Sequence, residues 1–269
     1  MEIRAKKKFG QNFLKDSSIK RKILEAIPND NYQTIEIGIG LGDLTEYLLQ
    51  SKSVVGYEID VELCNFLKER FKTEIEEESF NLICGDVLEF WKDSSIFEGK
   101  YKIVANLPYY IATTIILKAL DDLNCTSATV MVQKEVGEKF LAKSGDKNFS
   151  SLSVLAGTVG NVEMVTFVPP KSFDPPPKVD SVVIQFERKN EKKIDENFKK
   201  FLKIAFQQPR KTLLKNLSQK YKKDDLVTIF SELEISNSIR PHQIETVDYH
   251  QIFNTLERLQ IGRVREKRT

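Results

Sequence analysis

The sequence predicts an α/β fold in which a mostly parallel, seven-stranded sheet is followed by a small C-terminal helical domain. Short β-branched, apolar runs alternate with amphipathic segments through the first two-thirds of the chain. Beyond Phe186, apolar residues recur at helical spacing instead. We therefore expect one domain over residues 1–188, with a basic N-terminal segment over 1–22, and a second domain over 189–269.

Five parallel strands are predicted at 34–37, 53–59, 80–84, 101–105 and 128–132. Helices are predicted over 43–50, 61–72, 112–120 and 134–142. Strands that alternate with helices form βαβ units, whose sheet is buried on both faces. Two last strands, 162–168 and 179–186, have no helix between them and are predicted to close the sheet as an antiparallel pair. The basic residues 263–269 are predicted to form a disordered tail.

Composition excludes several classes of protein. The 269 residues are 30% charged and 41% hydrophobic, an ordinary balance for a globular protein. No run of roughly 18 apolar residues occurs, so no membrane span is predicted, and the start lacks the apolar stretch of a secretory signal. The three widely spaced cysteines favour a reducing, cytoplasmic location and disfavour disulfides or a thiolate metal site.

Histidine and charge narrow the chemistry further. The only histidines, His242 and His250, exclude a Ser-His-Asp triad or a histidine metal centre earlier in the chain. Residues 1–22 carry 8 Lys/Arg against 2 Asp/Glu, residues 23–186 carry 14 against 25, and residues 187–269 carry 19 against 12. Basic flanks of this kind suit a polyanionic partner, although lysines that merely solubilise helices explain them equally well.

The tips of the first three predicted strands carry residues suited to a nucleoside. Gly38 and Gly40 follow the first strand, Glu58 ends the second, and Asp86 follows the third. Glycines let a ligand approach the backbone, and an acid at the second tip can bind ribose hydroxyls. Asp43 stands where a dinucleotide fingerprint has its third glycine, which disfavours a pyrophosphate. A cofactor without phosphate, such as S-adenosylmethionine, fits better than a dinucleotide, and a glycine turn that binds nothing is the alternative.

The fourth strand runs into Asn106-Leu107-Pro108-Tyr109. The Asn106 side chain and the Leu107 carbonyl offer two acceptors for an exocyclic amine, with Leu107 held extended by Pro108. The Tyr109 ring can stack on the attached base. Direct methyl transfer to such an amine depends on positioning more than on acid-base catalysis, in agreement with the lack of histidine here. A tetrapeptide that merely ends the strand is the alternative.

Six motifs taken in order resemble the ribosomal RNA adenine dimethyltransferases, especially the small-subunit enzymes. They are Gly10-Gln-Asn-Phe-Leu14, Glu36-Ile-Gly-Ile-Gly-Leu-Gly42, Glu58-Ile-Asp60, Gly85-Asp86, Asn106-Leu-Pro-Tyr109 and Phe173-Asp-Pro-Pro-Pro-Lys-Val-Asp-Ser181. The resemblance implies a class I, Rossmann-like methyltransferase fold and S-adenosylmethionine as cofactor, without a metal. It also implies dimethylation of two adjacent adenosines in a loop near the 3′ end of small-subunit rRNA, in a precursor 30S particle. The exposed basic ends favour a monomer.

The resemblance also implies a role for each matching residue. The cofactor would be held by Asn12, Leu14, Gly38, Gly40, Glu58, Asp86 and Asn106. Asn106, Leu107 and Pro108 would place the target amine, and the rings of Tyr109 and Phe173 would face its base. Arg210, Lys211 and Lys215, expected together on one helix, would bind RNA phosphates.

Two departures from the family pattern and three competing functions remain. Tyr110 and Pro209 stand where the family often has asparagine and arginine. A polar contact to RNA or to the backbone is expected to be lost near Tyr110, and a phosphate contact at Pro209. A large-subunit enzyme of the macrolide-resistance type is disfavoured by Leu107 and by the run from Pro175 to Ser181. A non-catalytic ribosome-assembly factor of the same fold is a further alternative, and an NAD dehydrogenase is disfavoured by Asp43.

Overall fold

The computed structural model describes residues 6, 10–50, 52–92 and 95–266, with side chains up to residue 259. The strands are β1 (Phe13–Leu14), β2 (Gln33–Ile37), β3 (Val54–Glu58), β4 (Phe80–Cys84), β5 (Tyr101–Asn106), β6 (Cys125–Gln133), β7 (Gly160–Val168), β8 (Phe173–Asp174) and β9 (Ser181–Arg188). The helices are α1 (Ser17–Ala26), α2 (Thr45–Leu48), α3 (Val61–Arg70), α4 (Lys72–Glu76), α5 (Val87–Phe90), α6 (Ala112–Asp121), α7 (Lys134–Leu141), α8 (Ser151–Val159), α9 (Glu196–Ala205), α10 (Leu213–Leu217), α11 (Lys223–Glu232) and α12 (Thr246–Glu266).

Seven strands form one sheet in the order β4-β3-β2-β5-β6-β9-β7. The strands from β2 to β6 pair in parallel, and β9 runs antiparallel to both β6 and β7. The predicted α/β class, the mostly parallel sheet and the closing antiparallel pair are therefore confirmed. The central strands are buried along nearly their whole length because helices cover both faces of the sheet, as parallel sheets require. Consequently their carboxyl ends lie side by side at one edge.

The chain divides into two compact units. The first contains the described residues up to Gly137 together with Gly160–Lys193, and the second contains Glu138–Val159 and the described residues from Ile194. Segment 138–159 therefore belongs with the helical unit, and not with the first domain as the expected boundary at 188 implied. The reason is that α8 packs against α9 and α12. Its buried Val154 and Ala156 belong to the core of that unit.

The second unit has an aromatic core. Phe198 stacks on His250 at 4.2 Å between ring centroids and packs edge-on against Phe253 at 5.3 Å. The His250 Nε2 lies 2.8 Å from the Thr158 hydroxyl, and burial lowers the pKa of the imidazole. Helix α12 continues to Glu266, so the prediction of a disordered tail was wrong for residues 263–266. Residues 267–269 lie outside the described part of the chain.

One expectation about cysteine is overturned. Cys64 on α3 and Cys84 at the end of β4 form a disulfide, with their Cα atoms 6.1 Å apart. The pairing arises because α3 connects β3 to β4 and folds back over them, which the sequence spacing alone does not reveal. Cys125 is buried and free.

Among the described residues, no helix has both the length and the apolar character needed to cross a membrane.

Candidate active site

A cleft opens at the carboxyl ends of β2, β3 and β5, where ligands bind in open α/β sheets. The predicted residues that line it are Asn12, Leu14, Gly38, Gly40, Glu58, Asn106, Leu107, Pro108 and Tyr109. Lining residues to which sequence reasoning gave no role include Gln11, Lys20 and Glu36. The N-terminal segment and three strand tips therefore meet at one site.

The glycine turn after β2 keeps the floor of the cleft bare. Gly38 and Gly40 adopt φ values of +74° and +63°, which side chains rarely tolerate. A Cβ on Gly40 would come within 3.1 Å of the Phe13 ring, and one on Gly38 within 3.4 Å of Pro108. The turn can therefore bring its backbone close to a ligand only because these positions lack side chains.

The Glu58 carboxylate is fixed at the tip of β3. The residue is only 4% exposed, and its two oxygens accept hydrogen bonds from the Gly40 and Asp60 N–H groups, each at 2.9 Å. Burial raises the pKa of this carboxyl. A carboxylate held in this way has its remaining lone pairs in a constant position, as recognition of a ribose diol requires.

The charge of the cleft selects against phosphate. Its lining carries the carboxylates of Asp43 and Glu58, and Lys20, the one lysine among the described residues of the lining, lies 3.7 Å from Asp43. Such a surface attracts a sulfonium or ammonium cation and repels a pyrophosphate. The residues present therefore fit S-adenosylmethionine and do not fit NAD. No group of three or more His, Cys, Asp or Glu side chains within the described ranges is arranged to bind a metal.

Glu36 is a site residue that sequence reasoning missed. Its side chain is buried and accepts a hydrogen bond of 2.6 Å from the Thr45 hydroxyl. Burial raises the pKa of the Glu36 carboxyl to about 8. The available signal was a carboxyl residue between two isoleucines of a predicted strand, two residues before the glycine turn.

Because the pKa of Glu36 is raised from 4.5 to about 8, the folded protein holds a proton that the unfolded chain releases between these pH values. This linkage makes the free energy of unfolding fall as pH rises through that window. Glu36→Gln keeps an acceptor for Thr45 but cannot titrate. The wild-type free energy of unfolding should decrease by on the order of several kcal/mol across this window, and we expect most of that decrease to be absent in Glu36→Gln. Urea unfolding at pH 5 and pH 8 measures this. The exposed Glu163→Gln is the control, and identical pH profiles for both variants would contradict the assignment.

Asn106 ends β5, and its amide orientation is set by the N-terminal segment. Its Nδ2 donates to the Asn12 carbonyl at 2.9 Å, which leaves Oδ1 as the acceptor of the amide. The next residue, Leu107, is 1% exposed, and its N–H donates to the Met131 carbonyl at 3.1 Å. Two adjacent groups of the tetrapeptide are therefore held rigidly at the edge of the cleft.

The Tyr109 ring is anchored through its hydroxyl. That oxygen lies 2.9 Å from the Ser181 Oγ, and Ser181 is fully buried at the start of β9. Burial raises the pKa of Tyr109. Ser181 ends the last of the six sequence motifs, and the structure makes it the residue that orients the ring.

Two predicted site residues, Asp86 and Phe173, do not line this cleft. Asp86 caps α5 by accepting from the Leu88 N–H at 2.9 Å. Phe173 was expected to face the target base, but its ring is 1% exposed in the core because β1 pairs with β8 and covers it. Tyr110 is 59% exposed, near Gly10.

The proposed phosphate ligands lie in the second unit and are all exposed. The prediction that they share one helix was wrong. Arg210 and Lys211 lie in a turn, and only Lys215 lies on α10. The reason is the buried Asn216, whose side-chain amide bonds both to the N–H of Gln208 at 3.0 Å and to its carbonyl at 3.1 Å, which holds the turn against the helix.

Comparison with known families gives a match over nearly the whole chain. Residues 2–258 match the family model described as ribosomal RNA adenine dimethylase. The chain is 52% identical over 252 residues to the ribosomal RNA small subunit methyltransferase A of Sulfurimonas denitrificans, with 94% of each chain covered.

Two solved structures share the fold. A dimethyladenosine transferase from Plasmodium falciparum is 27% identical, with a TM-score of 0.75 over 89% of this chain and 95% of the other. The 23S rRNA methyltransferase ErmE has a TM-score of 0.71 over 91% of this chain and 100% of its own, at 23% identity. The second likeness shows the common fold alone.

Proposed function

The chain belongs to the ribosomal RNA adenine dimethylase family, and from that premise we propose that it dimethylates two adjacent adenosines near the 3′ end of small-subunit rRNA. It is an S-adenosylmethionine-dependent rRNA adenine dimethyltransferase. The observation that carries the choice of target atom is the Asn106 amide, fixed at the strand tip with Oδ1 as its acceptor.

The cleft residues divide the binding of the cofactor between them. S-adenosylmethionine supplies an electrophilic methyl group on a sulfonium sulfur. Glu58 would accept hydrogen bonds from the ribose hydroxyls, since both its oxygens are already held by backbone N–H groups. The glycine turn would lie against the methionine part, and Asn12 and Leu14 would cover it from the N-terminal segment. We assign Asp86, one strand tip further along, to the adenine amine.

The tetrapeptide would hold the target. The Asn106 Oδ1 and the Leu107 carbonyl would accept the two N–H bonds of an adenosine amine, so that its lone pair faces the methyl group. The Tyr109 ring, tethered through Ser181, would stack on the base. N6 takes part in pairing within a duplex, so the adenosine must be unpaired or flipped out, and stacking of this kind stabilises it by roughly 1–3 kcal/mol per base.

Similarity favours the small subunit over the large one. The Sulfurimonas protein, named for the small subunit, is 52% identical, whereas the 23S enzyme is 23% identical. We propose a precursor 30S particle in the cytoplasm as the substrate and a monomer as the active form. Labelled methyl groups should be transferred to purified 30S precursors and not to 50S particles. Binding of 30S precursors without transfer, by folded protein, would favour the assembly factor instead.

The exposed basic residues of the second unit are expected to bind RNA phosphates. The triple variant Arg210→Glu, Lys211→Glu, Lys215→Glu should weaken RNA binding at least about tenfold and reduce its dependence on salt, because fewer counterions are released. Filter binding at several salt concentrations measures both effects. Reversal of Lys220, Lys222 and Lys223, which are also exposed, is the matched control. Equal losses in the two variants would mean that the turn at Arg210 has no special part in binding.

A further inference from the structure

The segment Gly10–Leu14 covers one side of the cleft, and all five of its residues line it. Its end at Leu14 is fastened to the sheet unit, since Leu14 pairs with Phe173 in the small β1–β8 sheet. Its other end lies in no strand or helix. Whatever holds that end determines whether the segment stays over the cofactor site.

Asp60 is the residue that holds it. The Asp60 side chain is only 4% exposed, and its Oδ1 accepts from the Lys6 Nζ at 2.8 Å. Its Oδ2 accepts from the Gln11 Nε2 at 3.0 Å. The Gln11 Oε1 in turn accepts from the Lys6 N–H at 2.7 Å, so the three residues form a closed set of hydrogen bonds. Hydrogen bonds to charged groups of this kind are among the stronger ones in proteins.

The same contacts connect the part of the site proposed to bind the cofactor ribose with the part proposed to bind the target amine. The Asp60 N–H donates to the Glu58 Oε1 at 2.9 Å, on the side of the cofactor ribose. Next to Gln11, the Asn12 carbonyl accepts from the Asn106 Nδ2 at 2.9 Å, on the side of the target amine. An almost continuous chain of hydrogen bonds therefore runs from the ribose-binding carboxylate to the amide that orients the target.

We propose that Asp60, with Lys6 and Gln11, is a positioning residue that latches Gly10–Leu14 over the cofactor cleft and thereby orients Asn106. Asp60 does not line the cleft, so it acts through the segment and not by touching the cofactor. The inference rests on the proposed roles of Asn12 and Asn106. It predicts that cofactor affinity and turnover both depend on a carboxylate outside the cleft.

Asp60→Asn is the direct test. Asparagine still caps α3 but places an amide NH₂ against the donors of Lys6 or Gln11. We expect the dissociation constant for S-adenosylmethionine to rise about tenfold and kcat to fall about tenfold. Amide hydrogen exchange should increase in residues 11–14, with little change in Tm. Should Asp60→Asn fail to fold, Gln11→Ala leaves the cap intact and is expected to give the same changes.

A double variant that moves the carboxylate from position 60 to position 11 distinguishes the latch from a merely structural role of Asp60. In Asp60→Asn/Gln11→Glu, the new carboxylate at position 11 can accept from the amide at position 60 and from the Lys6 N–H, so affinity and exchange should return to within about threefold of the wild type. Glu62→Gln is the matched control. Glu62 lies 2.7 Å from the same Lys6 Nζ, but its loss leaves the Asp60–Gln11 bond in place, so an effect below twofold is expected.

Titration calorimetry and hydrogen exchange on the full chain need no RNA, so they decide this proposal separately from the proposed function. Unchanged affinity and exchange in Asp60→Asn would overturn it, as would failure of the double variant to recover. A wild-type protein that binds cofactor but methylates no rRNA would overturn the proposed function and leave the latch to be judged on these data.

Discussion

Asn106→Ala is expected to lower methyl transfer by at least about 1,000-fold while the protein stays folded. The variant removes Oδ1, the acceptor proposed for the target amine, and also the Nδ2 that bonds to the Asn12 carbonyl. An interaction that aligns reacting atoms affects the rate far more than the stability, because the barrier depends on a near-attack geometry. Transfer of labelled methyl groups to 30S precursors under single-turnover conditions measures the loss.

The matched control for this variant is Asn81→Ala, since Asn81 is an exposed asparagine on the edge strand β4. It is expected to transfer methyl groups at the wild-type rate. S-adenosylmethionine should still bind Asn106→Ala, with its dissociation constant raised only several-fold. Turnover of Asn106→Ala within about tenfold of the wild type would show that the amine is not held there.

Glu58→Ala is expected to raise the dissociation constant for S-adenosylmethionine roughly 100-fold. The substitution removes two acceptor oxygens that the Gly40 and Asp60 N–H groups hold at 2.9 Å, so any ribose hydroxyl loses its charged partners. Hydrogen bonds to a charged group each contribute about 1.5–3 kcal/mol, so losing the bonds to the two ribose hydroxyls accounts for a loss of affinity of this size. Titration calorimetry measures it directly.

The comparison variant for Glu58 is Glu163→Ala, which removes an exposed carboxylate from β7 and should leave the affinity unchanged. The loss in Glu58→Ala should also appear with S-adenosylhomocysteine, because both nucleosides carry the same ribose. An equal affinity of Glu58→Ala and the wild type for both ligands would remove Glu58 from the cofactor site.

Local patterns predicted the sheet and most of the cleft. Glu58 and Asn106 each follow an apolar β-branched run, and parallel strands bring such ends to one edge regardless of the sequence between them. Only glycine readily adopts the φ values of Gly38 and Gly40, so the turn could also be predicted from the sequence.

What the sequence did not reveal depends on contacts between distant segments. Phe173 is covered because Leu14 pairs with it across more than 150 residues, and no local pattern reports such a pairing. Arg210 and Lys211 leave the helix because Asn216 bonds to the backbone of Gln208. Asp60 appeared in a motif as a neighbour of Glu58, but its partners belong to the N-terminal segment.

The central claim is that the Asn106 site places an adenosine amine of small-subunit rRNA against a sulfonium methyl group. Mass spectrometry of ribosomal RNA from cells with and without this protein tests it most directly. We expect two adjacent N6,N6-dimethyladenosines near the 3′ end of the small-subunit rRNA in the first sample, and unmodified adenosines at those positions in the second and in cells that carry Asn106→Ala. The same dimethyladenosines in all three samples, or a change confined to the large-subunit rRNA, would contradict the account.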